Sequence, residues 1–248
     1  MTRYEMIRYL TFPLQSYLFY LVNKEIRRIT RQGSNVQIKM LDIGGRKSPY
    51  SIGIKGVDIT ISELPRKTDI QKKLNLGITP QLKTCIKKSR SNISDIVYDD
   101  FTHTKFPEGS FDLITAVEVI EHVKEDEVFA ENLYKVLKPN GYGLLTTPNG
   151  DYIKNESPHF NPDHIRHYTK QQLMYLLSKK FKKMDVYYAI KTGKYRVWSR
   201  RSWSSQKPLY SFKKIIGSMI NRWESRNRRH IPKQSAHLFA IVQKEEAV

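Results

Sequence analysis

The feature of this sequence that most restricts its fold is a regular alternation of short apolar runs with longer segments of helical periodicity. The apolar runs are predicted to be seven strands: IKMLDIG (38–44), VDITIS (57–62), DIVYDD (95–100), FDLITAV (111–117), GYGLLTTP (141–148), KMDVYYAI (183–190) and HLFAIVQK (237–244). Helices are predicted at 15–32, in a short turn after Ser48, and at 80–90, 118–138 and 169–181. Parallel strands need long crossover connections, which are usually helical, so this alternation predicts an α/β protein with a mostly parallel sheet.

A chain of 248 residues, of which 39% are hydrophobic, is long enough to bury one sizeable core. We therefore expect one globular domain at residues 37–248, preceded by an N-terminal helical extension at residues 1–36. A basic stretch at about 191–232 separates the last two predicted strands and includes a helical segment at 210–224. We expect this stretch to be an insertion or a lid.

The net charge of +19 is distributed unevenly along the chain. Residues 41–190 carry 22 basic and 19 acidic side chains, whereas residues 191–232 carry 12 basic side chains and one acidic side chain. A nearly neutral core with basic flanks indicates an anionic partner. Charge alone leaves three alternatives open: a phosphorylated small-molecule or glycan substrate, a nucleic acid, and an anionic lipid surface.

The single cysteine, Cys85, excludes an internal disulfide framework and favours a reducing, cytoplasmic setting. Near the N-terminus the apolar residues are interrupted by Pro13, Gln15 and Ser16, so they fall short of the roughly 20 apolar residues that a transmembrane helix needs. No signal peptide is expected either. The expected structure is a helix that packs on the domain, with peripheral contact at a membrane interface as the alternative.

The segment MLDIGGRKSPY (40–50) runs from an apolar strand into Gly44 and Gly45, and it predicts a helix start with Ser48 as N-cap and Pro49 as first residue. Glycines let a ligand approach the backbone closely, and a helix N-terminus favours anionic groups. The full G-x-G-x-x-G pattern is missing, which disfavours a nicotinamide-dependent enzyme.

Acidic residues also stand at the ends of the next two predicted strands. Glu63 follows Asp42 by about twenty residues, where a carboxylate can accept both hydroxyls of a ribose, and Asp58 is the rival for that role. The third predicted strand ends at Asp100 and Phe101, which are placed to contact an adenine amino group and its ring. For Asp42, a purely structural role in orienting the backbone at the strand end is the alternative.

Three segments together resemble the class I S-adenosylmethionine-dependent methyltransferases, in particular their broad small-molecule group: LDIG (41–44), FPEGSFDLITAVEVIEHV (106–123) and LKPNGYGLLTTPN (137–149). The resemblance covers about residues 38–190 and implies a Rossmann-like sheet with S-adenosylmethionine as cofactor. The cofactor-binding residues that it implies are Asp42, Gly44, Gly45, Arg46, Glu63, Asp100, Phe101 and Val117. Arg46 replaces the second glycine of the D-x-G-x-G pattern of this family, so we expect it to alter the loop or to contact the cofactor carboxylate.

The segment EVIEHV (118–123) places two carboxylates and an imidazole directly after the fourth predicted strand. On the predicted helix, Glu118, Glu121 and His122 share one face. The E-x-x-E-H pattern, with SPHFNPDHIRHYT (157–169) downstream, resembles the metal-dependent terminal 2′-O-methyltransferases of small RNAs and partly the O-methyltransferases of ubiquinone synthesis. This resemblance implies that Mg²⁺ or Mn²⁺ is bound by Glu118, Glu121, His122 and His164.

Segments of this type also occur in methyltransferases without a known metal, where the histidine contacts the substrate or acts as a base. Because methyl transfer from a sulfonium is an in-line displacement, the protein has mainly to align the acceptor and remove its proton. His122 and Glu121 are the candidate catalytic residues. We expect His159 and His167 to face substrate or solvent, and Arg166 is a candidate for binding an anionic substituent.

The leading functional prediction is O-methylation of a sugar or glycan hydroxyl, on a nucleotide- or lipid-linked acceptor, with help from a divalent cation. One alternative is terminal 2′-O-methylation of RNA, in which the basic excess would contact phosphates. The other is a non-catalytic cofactor-binding or membrane-docking protein. The intact cluster of Glu118, Glu121 and His122 favours an enzyme.

Overall fold

The computed structural model describes residues 1–12, 15–32, 37–67, 69, 76–157, 160–200 and 208–246. Within them, seven strands form one sheet: β1 (Ile38–Ile43), β2 (Val57–Glu63), β3 (Ile93–Tyr98), β4 (Phe111–Val117), β5 (Leu137–Pro148), β6 (Lys183–Lys191) and β7 (Ser235–Gln243). Their order is β3-β2-β1-β4-β5-β7-β6, with β7 antiparallel to both neighbours and the other pairs parallel. The predicted Rossmann-like, mostly parallel sheet is confirmed.

The same residues include seven α-helices: α1 (Arg3–Thr11), α2 (Tyr17–Gln32), α3 (Pro80–Ser89), α4 (Asp126–Val136), α5 (Lys170–Ser178), α6 (Lys194–Ser199) and α7 (Pro208–Glu224). Helices α6 and α7 lie within the basic stretch predicted as an insertion or lid, of which residues 201–207 lie outside the described residues. Residues 33–36, at the predicted end of the N-terminal extension, also lie outside them.

The sheet carries an apolar core on each face, because successive side chains of a buried strand point in opposite directions. In β7, Leu238 and Ala240 belong to the core that includes side chains of α4 and α5, whereas Phe239 belongs to the other core. That second core includes Leu18, Val22, Ile26 and Ile29, all from α2. Helices therefore cover both faces, and α2 provides much of the cover on one of them.

The first helix, α1, is held by its own cap and by a contact with the loop before β3. The Glu5 carboxylate accepts hydrogen bonds from the backbone N–H groups of Thr2 (2.7 Å) and Ser91 (2.8 Å), and the Thr2 hydroxyl accepts one from the N–H of Glu5. This reciprocal capping box satisfies two donors at the helix start. The contact with Ser91 anchors the beginning of the chain to the sheet domain.

Replacing Ile26 of α2 by alanine is expected to lower the free energy of unfolding by about 2–3 kcal/mol, because Ile26 is fully buried and the substitution leaves a cavity. The matched control is Lys24→Ala on the exposed side of the same helix, which should change stability by less than about 0.5 kcal/mol. Urea unfolding checks both values. A loss for Ile26→Ala no larger than that of the control would show that α2 does not stabilise the domain.

The predicted helix at 118–138 is wrong in its first turns. Glu118 has a left-handed φ of +56°, and its backbone N–H donates to the carbonyl of Thr146 on β5 at 3.0 Å. A short 3₁₀ turn follows at Ile120–His122, and α4 begins only at Asp126. Glu118, Glu121 and His122 consequently do not share the face of an α-helix, although they remain close together.

Two further local predictions are corrected. No helix starts at Ser48: a 3₁₀ turn occupies Gly45–Lys47, and the hydroxyl of Ser48 donates to that of Tyr50 at 2.8 Å instead of capping a helix. β5 starts at Leu137, four residues earlier than predicted.

In the part of the chain that the structure describes, no helix combines the length and apolar character needed to span a bilayer. Cys85 lies exposed on α3, and no disulfide involves it.

Candidate active site

The loop after β1 depends on two glycines for different reasons. Gly44 has a φ of +68°, which L-residues with side chains adopt at a cost. Gly45 has ordinary backbone angles, but an added Cβ would lie 2.3 Å from the carboxylate carbon of Asp42. The loop can therefore pack against the buried carboxylate only because position 45 has no side chain.

Asp42 is buried beneath this loop and does not line the neighbouring cavity. Its fully buried carboxylate accepts hydrogen bonds from the hydroxyls of Tyr50 and Thr115, both at 2.8 Å. Burial raises the pKa of Asp42, and the two hydrogen bonds oppose that rise. Asp42, predicted among the cofactor-binding residues, is therefore not among the residues that line the cavity, and its carboxylate is bound by hydroxyl groups of the protein.

Glu63 ends β2 with its carboxylate against the loop. Its Oε1 accepts the backbone N–H of Arg46 at 3.1 Å, and the Nε of Arg46 lies 3.6 Å away. Burial raises the pKa of Glu63, while the hydrogen bond and the charge of Arg46 lower it. The guanidinium group of Arg46 is therefore placed beside Glu63, so the two residues act as a pair at the edge of the cavity.

Asp100 and Phe101 stand where the sequence predicted, after β3. The Oδ1 atom of Asp100 accepts hydrogen bonds from the N–H and the hydroxyl of Thr102, which fixes a short turn over Phe101–His103. Phe101 is buried and packs edge-on against Phe129 of α4, with ring centroids 5.0 Å apart. Phe101 and Phe129 together form an aromatic part of the wall of the neighbouring cavity.

These groups surround a cavity of about 450 Å³ at the carboxyl ends of β1, β2 and β4. In open α/β sheets, ligands bind in the crevice at this edge. Of the predicted site residues, those that line it are Gly44, Arg46, Glu63, Asp100, Phe101, Val117, Glu118 and His122. Asp42, Gly45, Glu121 and His164 are not among its lining residues.

Glu118 lies at the end of β4 and is bound to two other strands. Its Oε1 accepts a hydrogen bond from the hydroxyl of Thr146 at 3.0 Å and lies 3.1 Å from Nδ1 of His237 on β7. Burial alone would raise the pKa of Glu118, but the attraction of His237 and the two hydrogen bonds outweigh it and lower the pKa to about 2. Glu118 is therefore ionised at neutral pH.

Glu121 is buried just behind the cavity and is unsatisfied. Its fully buried carboxylate lies beside the hydroxyl of Thr147 and its own backbone N–H, but neither group meets it in good hydrogen-bond geometry. Burial and the negative charge of Glu118 raise the pKa of Glu121 well above its ordinary value. A buried polar group without a partner is rare and costs free energy, which makes Glu121 a candidate for binding something additional.

Two histidines face Glu121 with defined tautomers. Nδ1 of His122 lies 2.7 Å from the carbonyl oxygen of Asp163, so Nδ1 carries the proton and Nε2 keeps its lone pair. Nδ1 of His167 likewise donates to the carbonyl of Ile153, which leaves Nε2 of His167 to accept the proton of His164 Nδ1 at 2.7 Å. His164 therefore also keeps a lone pair on Nε2.

Glu121, His122 and His164 form the group that could hold a cation, because they offer ligand atoms within 4.8 Å of one another. Burial, His122 and His167 lower the pKa of His164 to about 4, so its imidazole is neutral. The group does not include the predicted fourth ligand, Glu118, whose carboxylate contacts Thr146 and His237. The contacts that His122 and His164 make through Nδ1 are of the kind that orients metal-binding histidines.

Backbone and side-chain contacts hold His164 in place. The carbonyl of Glu121 accepts the N–H of Ile165 at 2.9 Å, which joins the two segments directly. Asp126 at the start of α4 accepts a hydrogen bond from the hydroxyl of Tyr168 at 2.6 Å and forms an ion pair with Arg166. Arg166, predicted as a candidate for binding an anionic substituent, is thus bound within the protein.

Sequence reasoning missed three groups that shape this site. His167 was expected to face substrate or solvent but orients His164. His159, the other histidine with that expectation, lies outside the described residues. His237 and Arg196 had no local signal, because His237 opens an apolar strand and Arg196 is one of many basic residues in its stretch. Nη2 of Arg196 lies 2.9 Å from Nε2 of His237, which completes a chain from Arg196 to Glu118.

Comparisons with known proteins agree with this architecture. A family model described as a methyltransferase domain matches residues 14–206. Over 84 residues, the chain is 30% identical to a probable S-adenosylmethionine-dependent methyltransferase of Mycolicibacterium smegmatis, covering 34% of this chain and 33% of that protein. Over 138 residues it is 28% identical to the sterol 24-C-methyltransferase of Aspergillus fumigatus, covering 55% and 34%. The chain spans about a third of the length of these curated relatives.

The fold is also similar to that of phosphoethanolamine N-methyltransferase 2 of Haemonchus contortus, solved in complex with S-adenosyl-L-methionine. The TM-score is 0.59 at 16% identity, and the match covers 90% of this chain and 52% of that one. At this identity the likeness concerns the fold. Because the family model extends over most of the sheet that forms the cavity, this chain belongs to the class I S-adenosylmethionine-dependent methyltransferases.

Proposed function

We propose that this methyltransferase methylates a hydroxyl of a sugar or glycan, and that Glu121, His122 and His164 hold a divalent cation that assists the transfer. The observation that carries the proposal is the buried carboxylate of Glu121, which makes no hydrogen bond of good geometry, beside the imidazoles of His122 and His164. A cation would supply the interaction that this carboxylate lacks. The same three residues fit such an ion because one ligand atom of each lies within 4.8 Å of those of the other two.

The composition of the ligand set favours Mn²⁺ over Mg²⁺. Mg²⁺ prefers oxygen ligands, whereas imidazole nitrogen suits ions later in the transition series. Without Glu118, the set holds two nitrogens and one carboxylate, which is poorer in oxygen than the sequence predicted. Mn²⁺ accepts both kinds of ligand, so we expect it to bind more tightly than Mg²⁺.

A sugar hydroxyl explains why a cation is useful. The methyl group of S-adenosylmethionine is electrophilic, and a bound cation lowers the pKa of a hydroxyl that it coordinates. An aliphatic hydroxyl is far less acidic than an imidazolium, whose ordinary pKa is about 6.5, so a histidine alone is a weak base for this proton. An amine acceptor would need alignment but no such help.

The chain's own residues have separate tasks in this arrangement. Gly44, Glu63, Asp100 and Phe101 bind the cofactor from three strand ends, while the negative charge of Glu118 lies between the cofactor cavity and the acceptor. His122 serves as a ligand, and its Nε2 cannot hold a cation and take a proton at the same time. A base role for His122, as the sequence also suggested, belongs to the cation-free alternative.

The experiment is an acceptor screen with S-adenosylmethionine, run with and without a chelator. Chelation is expected to abolish methyl transfer, and Mn²⁺ should restore it at lower concentration than Mg²⁺. Mn²⁺ binding, measured by electron paramagnetic resonance, should weaken about 10- to 100-fold in His164→Ala, whereas His230→Ala, which removes an exposed histidine, should bind normally. Transfer that continues undiminished after chelation would contradict the cation and favour His122 as base.

A further inference from the structure

A second cavity, of about 210 Å³, adjoins Glu118 on the side away from the cofactor residues. It is bounded by the start of α2, by β7 and by the basic helices α6 and α7, and its lining includes Arg196, Arg200, Lys214 and Asn221. We propose that this anion pocket binds a phosphate or carboxylate group carried by the methyl acceptor. The inference deepens the proposed function and rests on it for the identity of the reaction, since it concerns a part of the same acceptor.

The charges around the anion pocket are unbalanced. Three of the described lining residues are cationic, and Glu118 is the one carboxylate among them. Arg196 and Arg200 are four residues apart, at a spacing where like charges repel. Burial and Arg200 lower the pKa of Arg196 to about 10, and burial and Arg8 lower the pKa of Lys214. An anion placed between these groups would offset the repulsion and the cost of burying them.

An unsatisfied acceptor in the wall indicates that the ligand also carries a hydrogen-bond donor. Asn221 of α7 is 1% exposed, and its Nδ2 donates to the carbonyl of Lys191 at 2.8 Å. This bond fixes the amide so that its oxygen is the remaining polar atom, and that oxygen has no hydrogen-bond partner. A ligand with a hydroxyl or a protonated phosphate oxygen would supply the missing donor.

The position of Glu118 relates the anion pocket to the chemistry. Glu118 lines both this pocket and the cofactor cavity, so a molecule held by Arg196 and Arg200 would extend past Glu118 towards the bound donor. The opposite wall is apolar and aromatic, from Tyr17, Leu18 and Phe19 of α2. The N-terminal helices and the basic stretch would thus select the acceptor, while β1 to β4 bind the cofactor.

A larger basic groove between α1 and α2 is the rival site for an anion. It has a volume of about 710 Å³ and is lined by four arginines and a lysine, among them Arg31. It lies apart from Glu118, which is not among its lining residues, so an anion bound there would not be positioned for transfer. The test must separate these two sites.

The test measures binding by calorimetry to the whole chain saturated with S-adenosylhomocysteine, with inorganic phosphate, glucose 1-phosphate and glucose as probes. Glucose 1-phosphate and phosphate should bind, glucose should not, and affinity should fall as salt is raised. Arg196→Gln and, independently, Arg200→Gln should weaken the binding of glucose 1-phosphate at least about 10-fold. Arg200 is exposed, so its substitution should leave folding unchanged. Arg31→Gln removes the same charge from the rival groove and should have no effect.

Cosedimentation with phosphatidylcholine vesicles, with and without a polyprenyl phosphate, distinguishes a lipid-linked source of the phosphate from a soluble one. Binding that follows Arg31 instead of Arg196 and Arg200, or no phosphate binding at all, would overturn the anion pocket. Binding that depends on Arg196 while chelation leaves methyl transfer unaffected would overturn only the cation of the proposed function. Methyl transfer that depends on a cation but shows no preference for a phosphorylated acceptor would overturn only the anion pocket.

Discussion

Glu121→Gln is expected to reduce kcat/KM for methyl transfer by about 10²- to 10³-fold and to abolish detectable Mn²⁺ binding, while the unfolding free energy without cation stays the same or rises. The activity falls because the amide removes the one carboxylate of the proposed ligand set. Stability is retained because the substitution keeps the side-chain volume and replaces a carboxyl whose ionised form is disfavoured by burial and by the charge of Glu118. Steady-state kinetics, manganese titration and urea unfolding measure the three quantities.

The opposite signs for activity and stability make this a sharp test. Glu131→Gln is the matched control, because Glu131 is an exposed acid of α4 whose partner is Lys180, and it should alter none of the three. Destabilisation of Glu121→Gln together with normal Mn²⁺ binding would indicate that Glu121 serves the structure and not a cation.

Gly45→Ala is expected to lower the unfolding free energy by about 3–5 kcal/mol and to abolish binding of S-adenosylhomocysteine. The new methyl group would lie 2.3 Å from the carboxylate carbon of Asp42, and Asp42 cannot move without giving up its hydrogen bonds to Tyr50 and Thr115. Breaking hydrogen bonds to a buried carboxylate is among the more costly changes in a protein interior. Thermal unfolding and calorimetry give the two results.

Gly53→Ala is the control that separates the effect of a steric clash with Asp42 from the effect of backbone strain. Gly53 has a φ of +67°, but nothing lies within 4 Å of its added Cβ, so it should cost only about 1–2 kcal/mol and spare cofactor binding. Equal losses for the two variants would show that the contact with Asp42 is unimportant.

The sheet could be predicted from the sequence because its strands are local apolar runs that are separated by helical segments. All seven strands were located, with ends within a few residues for most. The helix at 118–138 was misjudged because nothing local shows that the N–H of Glu118 pairs with Thr146, a contact across 28 positions that holds the chain in a turn. Similarly, Ser48 looks like an N-cap, but its hydroxyl is taken by Tyr50 within the Asp42 network.

In the candidate site, too, local sequence predicted which residues take part, but not their distant partners. Glu121, His122 and His164 were named from a motif, and the structure brings them together. Some of their partners come from elsewhere in the chain: Nε2 of His167 lies 2.7 Å from Nδ1 of His164, and Nδ1 of His237 lies 3.1 Å from the carboxylate of Glu118. Such pairings depend on tertiary register, which residue spacing along one segment does not encode.

The place of β7 between β5 and β6 has a consequence for synthesis on the ribosome. β5 and β6 both pair with β7 and not with each other, yet β7 follows β6 by more than forty residues in the chain. While those residues are still being translated, β5 presents a long unpaired edge and β6 has no neighbour to join, a state prone to wrong pairing. His237 lies on the same strand, so the nascent chain can complete neither its sheet nor the contact between His237 and Glu118 until β7 has emerged.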